Sequence, residues 1–104
     1  MRPTEGPSEN IKLIETGEAQ VGFVTMGVAQ QGWNGSGAWT GGKQYRAMRA
    51  MFPMYDTPFQ FIVLQDSAIR SISDLAGKRL GVGPEGGTSA NYTPALMSTL
   101  KLEA

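Results

Sequence analysis

Apolar positions along the chain fall into helical spacing and short continuous runs, and their order predicts the elements. Ile11 and Ile14 face one way in a segment that opens with Gly6-Pro7-Ser8-Glu9-Asn10 and stops at Gly17. Proline fits the first helical position, Gly6 or Ser8 can cap, Glu9 lies near the positive end of the dipole, and Gly17 is a natural left-handed stop, so a first helix is expected. QVGFVT, Gln20 to Thr25, is a near-continuous apolar run of strand length, the pattern of a buried parallel strand. The glycine- and tryptophan-rich stretch after it predicts a brief helical turn and then an irregular loop. Tyr45 to Phe52 and Phe59 to Gln65 are the next strand candidates, and Pro53 and Pro58 stiffen the joint between them. Ser71 can cap a short helix through Asp74 and Leu75, which Gly77 closes; Arg79 to Gly83 then reads as a short strand. Leu96, Met97 and Leu100 recur at helical spacing behind Thr93-Pro94, a helix start signal, in a segment that runs on to Ala104. The alternation of helices and strands predicts an α/β fold with a mainly parallel sheet.

Composition narrows the chemistry. The 104 residues suffice for one modest core. Lys+Arg and Asp+Glu are both 9 and the charged fraction is 17%, so no basic face is expected for nucleic acid. With no histidine and no cysteine, the chain cannot build a Ser-His-Asp or Cys-His nucleophile pair, a Cys/His zinc site or a histidine general base. No run approaches the length of a membrane span, and MRPTEGPSEN lacks the basic-then-apolar order of a signal peptide, so any export signal is expected to have been removed.

Two loops carry candidate chemistry. In GVGPEGGTSAN, glycines permit close backbone approach, and Thr88, Ser89 and neighbouring N–H groups can surround an oxyanion. The stretch is neither a Walker loop nor a GxGxxG fingerprint with a ribose-binding acid. A turn needing positive φ at Gly86 and Gly87 explains the same residues equally well. Pro94 disfavours helical geometry at Thr93, so the regular helix is expected to start there and residues 86–92 to form a loop. The second candidate is the end of the first buried run, where Thr25 and Met26 would emerge at the carboxyl edge of a parallel sheet, the usual ligand side; Thr25 acting only as a cap is the plainer reading. Trp33, Trp39, Tyr45 and Tyr55 can line a pocket, and packing onto the core is the expected role. Arg46 and Arg49 suit either a carboxylate clamp or a solvated sheet edge and receive no role.

In order and spacing, the blocks GPSENIKLIETGEAQVGFV, AQQGWNGSGAW, RAMRAMFP and SISDLAGKRLGVGPEGGTS resemble the TAXI family of solute receptors that serve tripartite TRAP transporters, within the type II periplasmic-binding-protein fold. The resemblance covers nearly the whole chain. It implies a periplasmic receptor of two α/β lobes that closes on a small anionic solute, an amino acid such as glutamate or a related organic acid, and delivers it to a TRAP membrane permease. On this reading the chain is a binding module without catalysis, and no cofactor and no metal ligand is assigned. On this pattern residues 1–57 are a partial first lobe, and residues 58–104 a hinge strand and partial second lobe. Carried over by position, Thr25 and Met26 match the first-lobe loop, and Gly87, Thr88 and Ser89 the second-lobe loop. Pro7 stands where the family commonly has serine, and Gly-Gly-Thr-Ser replaces the more usual Gly-Ser-Gly-Thr. The family's opening strand and its return crossover have no counterpart here, so the chain is expected to be a fragment. Unpaired sheet edges would then favour a homodimer or exchanged dimer.

Two other functions fit parts of the pattern. A receptor for a thiamine-precursor-like or sulfonate ligand shares the DLAGKRLGV type of segment, but the Trp33-Asn34-Gly35 block favours TAXI. A small enzyme would use Thr88 or Ser89 with Lys78 or Asp74 as its acid-base partner. No spacing in the sequence puts such a base beside the hydroxyls.

Overall fold

The computed structural model describes residues 1–101, so the last part of the segment expected to be helical up to Ala104 lies outside the described residues. Three α-helices form: α1 (Pro7–Thr16), α2 (Met26–Asn34) and α3 (Thr88–Thr99). Single 3-10 turns occupy Ala38–Thr40 and Ile72–Leu75.

Local chemistry sets the ends of α1. Pro7 holds the first position, and the Glu9 carboxylate accepts the Glu5 N–H at 2.8 Å. Gly17, at φ 80°, turns the chain out of the helix. Gly6 is the cap residue, and Ser8 does not cap; its hydroxyl instead donates to the Gly86 carbonyl at 3.1 Å. The brief turn expected after Thr25 extends to nine residues and ends at Gly35, φ 71°. A Cβ at Gly35 would lie 2.9 Å from the Gly42 carbonyl oxygen, so glycine lets the loop fold back on its helix.

Among the described residues there is no β-strand, which overturns the expected α/β fold with a mainly parallel sheet. Gln20–Thr25, Tyr45–Phe52, Phe59–Gln65 and Arg79–Gly83 are irregular, and apolar side chains in the two most apolar runs face solvent, Phe23 at 73% and Ile62 at 90% exposure. An apolar run signals a surface that burial would favour; a strand additionally needs a neighbour within ladder distance. Here side chains and turns take the groups a ladder would use. The Phe23 carbonyl accepts Asn10 Nδ2 at 2.8 Å, the Ala47 N–H donates to Glu15 Oε2 at 3.2 Å, and the Tyr45 N–H donates to the Gly32 carbonyl at 2.8 Å.

A small core results. Ile11 of α1 and Val28 of α2 are buried with Tyr45, and Trp39, Met48 and Tyr92 pack around them. Trp39 behaves as expected, stacking on Tyr45 at 5.5 Å and donating from Nε1 to Gln31 Oε1 at 2.9 Å, whereas Trp33 stays at the surface. The chain is open for its size. Its radius of gyration is 15.7 Å, against about 13 Å for a compact domain of this length. Its accessible surface is 8158 Å², against about 5,700 Å² for a compact monomer of 11.1 kDa.

α3 begins at Thr88, six residues before Pro94, so residues 88–92 are helical and not a loop. Proline removes one amide donor and bends a helix without ending it when neighbouring groups are satisfied. Beside it the Thr93 hydroxyl donates to the Ser89 carbonyl at 2.6 Å. Gly87 caps α3 at φ −84°, so the expected positive-φ turn does not form there; the left-handed glycine of this stretch is Gly83, φ 77°.

Candidate functional site

Thr25 is the N-cap of α2, extended at φ −88° and ψ 150°, and its carbonyl accepts the Ala29 N–H at 2.9 Å. Its hydroxyl makes no capping bond. Met26 follows as the first helical residue and is 90% exposed. In the other half, the Gly87 N–H donates to the Pro84 carbonyl at 2.9 Å, and the Gly87 carbonyl accepts both the backbone N–H and Nδ2 of Asn91, at 3.1 and 2.9 Å. Thr88 and Ser89 are the first two residues of α3. All five sequence candidates therefore lie at helix amino ends, where first-turn amides have no intrahelical acceptor and the dipole favours negative charge.

Contacts between the halves bring these ends together. The Tyr92 hydroxyl, on α3, accepts the Val28 N–H at 3.1 Å and donates to Thr25 Oγ1 at 3.3 Å. This approach requires Gly27, because a Cβ there would fall 2.1 Å from the Tyr92 oxygen. The start of α1 meets the same region, since a Cβ on Gly6 would lie 2.5 Å from the Gly86 carbonyl oxygen. Tyr92 is the residue the sequence reading missed. No local spacing signals it, because its partners Val28 and Thr25 lie 64 and 67 residues away in the chain.

An acidic cavity adjoins the residues that lead into α3. This shallow cavity of about 360 Å³ beside α1 is bordered by Glu5, Glu9 and Glu85 against Lys12 alone among the cations, so it repels an anion. The amino ends of α2 and α3 carry no acidic residue in their first turns. A second cavity, about 380 Å³, lies at Ala68–Lys78 and includes Asp74. The Asp74 carboxylate accepts the backbone N–H groups of Arg70 and Ser71 at 2.9 and 3.1 Å, and these bonds hold its pKa below the usual aspartate value, with a small contribution from Lys78. Its carboxylate is thus engaged with its own turn, which is not the arrangement of a base serving Thr88 or Ser89. No group of three or more acidic residues among the described residues is placed to hold a metal ion. No helix among them is long and apolar enough to cross a membrane.

Compared with known proteins, the chain matches the NMT1-like family over residues 1–104. No solved structure matches it.

Proposed function

The chain belongs to the NMT1-like family, a periplasmic binding-protein-like family whose members are typically extracytoplasmic, and on that premise we propose that it is the binding portion of a TAXI-type receptor holding a small carboxylate solute for a TRAP permease. The solute's carboxylate is received at the amino ends of α2 and α3 by Thr25, Met26, Gly87, Thr88 and Ser89. One observation supports this reading: the Tyr92 oxygen takes the Val28 N–H between the two helix ends, so that amide is aimed at an oxygen acceptor whose place a solute carboxylate would take by displacing Tyr92. The domain reading places residues 1–57 in a first lobe and 58–104 in a hinge and second lobe, with Tyr92 spanning the two. Calorimetry with L-glutamate, succinate and a neutral amide tests the function. Heat with the acids and none with the amide supports it. Heat only with a sulfonate or an aminopyrimidine moves the chain to the other receptor class, and turnover of an ester substrate would make it an enzyme.

Self-association is part of the same proposal. Phe61, Ile62, Val63 and Leu64 are 47%, 90%, 51% and 78% exposed in a segment without a charged residue, and a second copy pairing along it would cover them. The surface in excess of a compact monomer exceeds the roughly 800 Å² per partner of a standard interface. Sedimentation equilibrium distinguishes a dimer from a monomer across concentration, and a monomer at every concentration removes this part.

A further inference from the structure

Charge is unevenly placed along the chain. Between Ala19 and Tyr55 the sequence holds Lys43, Arg46 and Arg49 and no acidic residue. The fold gathers two of these cations on one ring: the guanidinium carbon of Arg46 lies 4.5 Å from the Trp33 ring centre, and that of Arg49 lies 5.8 Å from it. Both arginines are exposed, and Trp33 keeps 36% of its surface in solvent. Like charges beside one indole repel each other, and attraction to the ring face offsets that repulsion. No carboxylate answers them, because the ion pair found among the described residues is Arg2–Glu18. Glu15 is the acid that reaches this segment, and its carboxylate accepts the Ala47 N–H. Arg49 is further oriented by donating to the carbonyls of Arg46 and Met48 at 2.8 and 2.7 Å.

Immediately after these arginines come Met51 and Phe52, 72% and 67% exposed. The guanidinium groups call for an anionic partner, and the apolar side chains for a boundary that shields them from water. A bilayer with anionic headgroups answers both, since phosphates take the guanidinium forks while indole, phenyl and thioether groups settle at the headgroup boundary. We infer that the surface formed by Trp33, Arg46 and Arg49, with the exposed Met51 and Phe52 that follow in the chain, docks on an anionic phospholipid bilayer. It does so independently of the solute site, which lies at the opposite, amino end of α2.

Flotation of the full chain tests this, using vesicles of phosphatidylcholine alone and of equal parts phosphatidylcholine and phosphatidylglycerol. Binding is expected to the anionic vesicles and to fade at high salt. Replacing both arginines, Arg46→Gln with Arg49→Gln, lowers the partition coefficient by about 30-fold, and Phe52→Ser lowers it at unchanged charge. The pair Arg46→Lys with Arg49→Lys retains most binding, with circular dichroism confirming that each variant keeps its helices. Equal binding to neutral vesicles, no binding at all, or binding indifferent to the glutamine pair overturns the inference. Capture of soluble poly-glutamate by the arginines without vesicle binding also overturns it, in favour of an acidic protein partner.

Discussion

The Tyr92 hydroxyl sits 3.1 Å from the Val28 amide nitrogen, so a side chain of α3 closes the amino end of α2 across 64 residues of sequence. Removing that oxygen while keeping the ring isolates its effect. Tyr92→Phe preserves the edge contact with Phe59, whose ring centre lies 5.7 Å away, and leaves the Val28 N–H to water. The expected loss is about 1 kcal/mol in urea unfolding, with faster hydrogen exchange at Val28. Unchanged exchange there would show that the bond is not made in solution.

Gly27 gives the complementary prediction. Gly27 is the second residue of α2, where glycine to alanine normally still gains stability, by less than the roughly 1 kcal/mol of a helix interior. Here the new methyl would meet the Tyr92 oxygen at 2.1 Å and its ring carbons at 2.7 and 2.9 Å, so the ring must swing out. Gly27→Ala is therefore destabilising in the natural chain and stabilising in a Tyr92→Ala background. A double-mutant cycle in urea reads this reversal, and additivity would contradict the contact.

The core is small enough that one residue matters greatly. Ile11 is 3% exposed and packs with fully buried Val28. Ile11→Ala should cost about 2 kcal/mol or more in urea unfolding. Leu64→Ala, at a 78% exposed position, should be close to neutral in the monomer.

Asp74 predicts acid sensitivity confined to one turn. Its folded pKa is lowered by the Arg70 and Ser71 amides. A depressed carboxylate contributes stability that is present above the unfolded value, near 3.8, and lost as pH falls through the lower folded value. Exchange of the Arg70 and Ser71 amides should therefore quicken at the acid end of that window, and Asp74→Asn should abolish the dependence.

The ends of α1 were legible in the sequence because their chemistry is local: Pro7 and Gly17 act through neighbours a few residues away. The sheet was misread for a physical reason. QVGFVT and FQFIVLQ carry the apolar content of strands, but content does not supply a partner, and Asn10 occupies the Phe23 carbonyl that a neighbouring strand would need. Pro94 misled in the opposite direction: the residues before it, Thr88 to Thr93, include only one strong helix former, Ala90, yet the helix runs through the proline. The candidate loops were found by glycine and hydroxyl content. Tyr92 was not, since its role depends on a long-range approach that Gly27 permits and no local pattern records.

The amides themselves test the central claim most directly. In a nitrogen-15 spectrum of the chain titrated with L-glutamate, the largest shifts should fall on Met26, Gly27, Val28, Thr88, Ser89 and Ala90, with Val28 changing as Tyr92 gives way to the ligand. Shifts confined to the acidic cavity beside α1, or none at saturating glutamate and succinate, would contradict a carboxylate site at the paired helix ends.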